Sequence, residues 1–175
     1  EGSSNNKAIE VFNPKGVDVD ISKYTFIRLN GGSSTVNAYV YTGIINPGKV
    51  FIIGNSSSTN QTIISLSDTT SALTLYNGDD CVAILNAAGD TIDRIGQWGI
   101  DPGTNWTVGT GATSEFTLVR MKSVSQGTKD WTVGQTQWDV YAQDVTTYLG
   151  FHSSDSCGGL NTPLIAFETG KQYVS

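Results

Sequence analysis

The chain has 175 residues, enough for one domain with a sizeable core, and a net charge of −6. Its ten Lys and Arg stand singly with no basic run, which argues against nucleic-acid binding driven by phosphate neutralisation and against an anionic membrane surface. No stretch approaches the ~18 uninterrupted apolar residues of a membrane-crossing helix. With 20 Gly, only 15% charged residues and no Ala/Glu/Lys/Leu-rich run, the composition is that of a turn-rich all-β protein.

A polar Gly/Ser/Asn opening, Glu1 to Lys7, leads into an alternating strand at Ala8–Phe12. Asn13-Pro-Lys-Gly16 stops it, and Val17 to Ser22 connects it to a second strand at Tyr24–Leu29. After the flexible Gly31-Gly-Ser-Ser34, a strand is expected at Val36–Tyr41. Ile44 to Ile53 carries a Pro47-Gly48 corner ahead of a strongly β-branched strand. Asn55 to Gln61 reads as an exposed loop and Leu73–Tyr76 as a strand. Asn77-Gly-Asp79 is then a tight turn into a buried strand, Cys81–Leu85. Asn86 to Asp90 turns that strand back into Thr91–Ile95. Gly96 to Gly111 reads as loop and carries Trp98 and Trp106. Phe116–Arg120 and a short strand within Trp131 to Tyr141 complete a series without helical periodicity, the mark of a sandwich or barrel.

The domain is expected over residues 1–150. Residues 151–175 form a C-terminal extension, either packed on the domain through Leu164-Ile-Ala-Phe167 or serving as a linker. Cys81 lies in an apolar run and reads as a small buried hydrophobe. Cys157 lies in a Ser/Gly-rich stretch, and their pairing is left open. The only methionine is Met121, so a removed targeting segment or a further upstream portion is expected. Asn55-Ser-Ser, Asn60-Gln-Thr and Asn105-Trp-Thr are glycosylation sequons of meaning only in a eukaryotic secretory setting.

The opening, then Asn77-Gly-Asp-Asp80 with Val82-Ala-Ile-Leu85, then Gly89-Asp-Thr-Ile-Asp-Arg-Ile-Gly96, resemble in order and spacing the lamin-tail domain in its secreted bacterial form. Trp106, Thr117-Leu-Val-Arg120, Trp138 and Leu149-Gly150 continue the resemblance. It implies an immunoglobulin-like β-sandwich for attachment and interaction, without an active site, extracellular or on a cell surface. The family usually has a short hydrophobic strand before this opening. Its bacterial members often accompany nucleases, phosphatases or other surface hydrolases, and the lamin versions have been linked to DNA and protein binding.

Four chemistries compete for the candidate residues. A serine triad has only His152 as its base, outside any Gly-x-Ser-x-Gly context, and sixteen acids let some carboxylate pair always be nominated; no enzyme is expected. Calcium would be held first by Asp79 and Asp80, with Asp18, Asp20, Asp90 and Asp93 as further turn acids, although no Asp-x-Asp-x-Asp-Gly loop occurs. Trp98 and Trp131 are the candidates for stacking on sugar rings, whereas Trp106 and Trp138, at family positions, are expected in the core. Glu1, Asn5, Asn6 and Glu10 are expected to bond loop backbone, with Asp93 doing similar work at its strand end. The reading is a tethering or interaction module for a protein or other extracellular partner. The alternative is a carbohydrate-binding module accessory to a hydrolase.

Overall fold

Strands follow one another with two short helices in the computed structural model, which describes residues 2–155. In chain order they are β1 (Ala8–Phe12), β2 (Val19–Asp20), β3 (Thr25–Leu29), β4 (Asn37–Tyr39), β5 (Ile44–Ile45) and β6 (Val50–Gly54). Helix α1 (Gln61–Leu66) and β7 (Thr69–Thr70) precede β8 (Cys81–Leu85) and β9 (Thr91–Ile95). A small ribbon, β10 (Thr107–Val108) with β11 (Gly111–Ala112), leads to β12 (Phe116–Arg120), α2 (Trp131–Gly134) and β13 (Trp138–Ala142). Cys157 and Leu164–Phe167 lie outside the described residues.

Two sheets face each other. One has the order β1-β6-β7 and the other β4-β3-β8-β9, with β1 to β6, β3 to β8 and β8 to β9 all antiparallel. Between them lie Phe26, Phe51, Ile53, Ile21, Ile45 and Leu73, with Ile9, Val11, Val82 and Ile84 packed against them. Alternation places the next residues of β3 and β8 on the opposite face, where Ile27, Leu29, Cys81 and Ala83 form a second buried cluster. Strands covered on both faces read as near-continuous apolar runs, as Cys81–Leu85 does. Burial pushes the Cys81 thiol up to about 11, so it is an inert packing group at neutral pH. A separate ribbon pairs β12 with β13.

Three expectations are corrected. Leu73–Tyr76 is not a strand: Ala72–Thr74 forms a 3-10 turn capped by Ser71, whose hydroxyl accepts from Leu73 N–H, and the turn inserts Leu73 into the core. The Asn55 to Gln61 loop ends in α1, capped by Asn60, whose side chain accepts from the Thr62 and Ile63 amides. Ile63 is its one buried residue, too little for a 3.6-residue period to show in sequence. Within Trp131 to Tyr141 the first part is the helix α2, and only Trp138 onward is strand.

The Asn13-Pro corner is held from inside. Asn13 is 2% exposed; its Nδ2 donates to Val17 O at 2.9 Å and Ile45 O at 2.7 Å, and its Oδ1 accepts from Lys15 N–H at 2.9 Å. These bonds replace the ladder that the proline interrupts. Asn13→Ala leaves three buried or half-buried backbone groups without partners and is expected to cost about 2 kcal/mol in urea denaturation. An effect below ~0.5 kcal/mol would show that water replaces the side chain there.

Candidate functional site

Three loops meet at one end of the sandwich. The turn before β8 brings Asp80, whose Oδ1 accepts from Gly31 N–H and Oδ2 from Asn77 N–H, both at 3.0 Å. Asp80 is 5% exposed, so its carboxylate clamps the loop between β3 and β4 to its own turn. Gly31, at φ 32°, lies so close to Asp79 that a Cβ there would stand 2.7 Å from its Oδ2. Gly32 abuts Asp101 in the loop after β9 in the same way, at 2.8 Å. The side chain of Thr113 bonds Gly78 O and accepts from Trp106 N–H, fastening the β10–β11 ribbon beneath.

Trp98 and Ile100 project from this cluster, 42% and 47% exposed. The structure therefore brings Asp79, Asp80 and the Trp98 loop to one end, which sequence separation alone did not indicate. It places Trp131 elsewhere. That ring is 2% exposed and packs edge-on to Trp106 at 6.2 Å. Gly134 lies over its face, and α2 packs on β9. Trp131 offers no ring face to a sugar; it is a buttress below the loops, because Asp130 caps a helix that turns the indole inward. Among the described residues no three His, Cys, Asp or Glu side chains converge on a cation position, and Asp80 directs its oxygens to amides.

The polar opening does bond loop backbone. Asn6 Oδ1 accepts from the amides of Thr59 and Asn60, both at 3.0 Å, and from the Ser58 hydroxyl. Two sequon asparagines are equally engaged, Asn60 as the α1 cap and Asn55 buried at 5% exposure. His152 sets its ring edge-on to Phe12 at 4.8 Å, and burial, then Arg120 and Lys122, hold its pKa below the usual value.

A cavity of about 820 Å3 lies beside β1, bounded across from it by Thr117–Arg120 of β12. Phe26, Ile84 and Ile21 line its inner side, and Val145, Tyr148 and Leu149 line it as well. Its size is that of a ligand or peptide site. Glu10 stands on the outward face of β1 and accepts from Gly150 N–H at 2.7 Å. Burial pushes its carboxyl up from 4.5 to about 7, against the opposing effect of the Gly150 bond.

A carboxyl whose folded pKa lies above its unfolded value binds its proton more tightly in the native state. Stability from Glu10 is thus full below about pH 4.5 and is lost as pH rises through about 7. At ~1.36 kcal/mol per pH unit, discounted because the group is partly open to solvent, the loss is about 2 kcal/mol. Glu10→Gln is expected to remove this slope, read as the urea midpoint between pH 4.5 and 8. A slope unchanged in the variant would assign the dependence to another group.

Two apposed sheets, antiparallel except for the β6–β7 pair, with loops gathered at one end define an immunoglobulin-like module. The Lamin Tail Domain family model matches residues 1–99, more than half of the chain, and the chain belongs to that family. The matched stretch takes in β1 to β9; β10 to β13 follow it and pack on it through Thr113, Arg120 and α2. No curated protein matches the chain.

Proposed function

We propose that this domain is a non-catalytic interaction or tethering module, secreted or held at a cell surface, that binds an extracellular protein partner through the loop end. One observation carries the reading: Trp98 and Ile100 are held out to solvent on loops fixed from below by Asp80, Thr113 and the Trp106–Trp131 pair. Apolar side chains on a preorganised loop lose little freedom on binding, and an exposed Trp is the residue type that most often anchors an interface. His152, the sole imidazole, is packed against Phe12, which supports a role other than hydrolysis.

The exposure of Trp98 beside Asp101 also supports the second reading, a carbohydrate-binding module serving an attached hydrolase. A glycan array, with Trp fluorescence followed at several calcium concentrations, separates the two. Saturable glycan binding abolished by Trp98→Ala moves the assignment to the sugar reading. A silent array, together with saturable binding to a purified surface-protein fraction weakened at least ~10-fold by the same substitution, supports the protein partner. Binding in either assay that requires calcium would bring Asp79 into the site.

A further inference from the structure

The loop end surrounds an open aromatic ring with carboxylates. Trp98 and Ile100 are exposed, and among the described residues neither a second ring nor a cation lies against the Trp98 indole. Asp101 follows Ile100 directly and packs on Gly32, while Asp79 packs on Gly31. The two acidic side chains thus flank one glycine pair, no more than about 15 Å apart, so a single extended segment of about five residues reaches both. Glu115, also exposed, comes next after Ser114, the residue that abuts Gly78 in the turn carrying Asp79.

The cations of this chain are engaged or placed elsewhere. Lys7 and Arg28 are buried and donate to the Tyr76 and Ala72 carbonyls, and Arg94 buries its Nε. Lys23 precedes β3, whose other end leads into Gly31. Lys15 and Lys49 both bond Asn13, at the end of β1 away from Lys7. The ion pairs among the described residues join Lys23 to Asp20 and Arg120 to Asp93, and none includes Asp79, Asp101 or Glu115.

Resting on the loop-end reading above, we propose that the protein partner docks through a cationic segment, an exposed stretch bearing Arg or Lys. One cation covers the Trp98 ring, its alkyl stem lies on Ile100, and a neighbouring cation meets Asp79 or Asp101. Tryptophan is the ring that holds a cation best, and this chain already uses the geometry internally, where Arg120 stacks on Trp138 at 4.0 Å. Arginine suits the position better than lysine, because its planar guanidinium stacks on a ring and still forks to a carboxylate. The acidic rim speeds the encounter with a basic segment and repels an acidic one, so it selects the partner as well as holding it.

A random dodecapeptide library displayed on phage and selected on the full chain, with no calcium added, tests this. The selected peptides are expected to be rich in Arg and Lys and to lose affinity as salt rises. They should bind at least ~10-fold more weakly to Trp98→Ala and to the Asp79→Asn, Asp101→Asn double variant. Asparagine keeps the oxygen that Asp101 offers to Gly103 N–H, so the loop is retained. The Asp18→Asn, Asp90→Asn double variant removes the same charge at the opposite end of the sandwich and should bind as the native chain does. Peptides that need Trp98 but carry no excess of cations, or that the Asp79 and Asp101 variant binds unchanged, overturn the cationic partner and leave the loop-end reading standing. Equal losses in the two charge variants assign the effect to net charge and overturn it too. Peptides held equally well by Trp98→Ala overturn the loop-end reading itself. A selection without binders overturns the segment.

Discussion

Trp131→Ala is expected to lower the unfolding free energy by about 4 kcal/mol, whereas Trp98→Ala should shift it by less than ~0.5 kcal/mol. The two tryptophans look alike in the sequence, each close to glycine in a polar stretch. Trp131 is almost fully buried, with Trp106 on its edge and Gly134 on its face, so truncation leaves a hole that the short helix cannot close. Trp98 is 42% exposed and loses little on truncation. For a chain of this size the difference amounts to about 12 °C in the melting temperature. Scanning calorimetry of both variants checks it, and similar shifts for the two would contradict the separation of buttress from contact residue.

Asp93→Ala is expected to cost about 3 kcal/mol. Its Oδ2 accepts from Arg120 Nη2 at 2.6 Å, with side chains 27% and 15% exposed. Its Oδ1 accepts from Thr128 N–H at 3.1 Å, tying the loop before α2 to β9. Arg120 in turn donates to Gln137 Oε1 and stacks at 4.0 Å on Trp138. Removing the carboxylate leaves a largely buried guanidinium without its counter-charge and frees the 128 loop. The pair is best read by a double-mutant cycle with Arg120→Met, for which a coupling of ~1.5 kcal/mol or more is expected. Additive effects would mean that Asp93 acts through the Thr128 bond alone.

The lamin-tail resemblance and the all-β sandwich were legible because they rest on local signals. Period-two alternation in Ala8–Phe12, the Pro47-Gly48 corner and the continuous apolar run Cys81–Leu85 each specify a strand or a turn within a few residues. The misread segments failed for an equally local reason. Gln61–Leu66 buries only Ile63, and Ala72–Thr74 is one turn long, so neither carries a period. Asn60 and Ser71, good capping residues ahead of those segments, were the available signals.

The site was legible only in part. Trp98 and the Asp79-Asp80 turn could be nominated from residue type, and Asn6 was rightly assigned to bonding loop backbone. Residue type could not show that Asp80 clamps Gly31, or that Trp131 points inward, because both depend on neighbours about fifty and twenty-five residues away, Gly31 and Trp106. The shape of the cavity beside β1 depends on the same kind of distant contact, since Phe12, Leu118 and Leu149 line it together. By itself, then, the sequence determined the longer strands along the chain, the Pro47-Gly48 and Asn77-Gly78 turns and the family, since backbone preference and alternation act over a few residues. Tertiary packing alone decided which tryptophan is exposed, which carboxylate is buried and which strands pair, since burial and pairing are settled by contacts between segments distant along the chain.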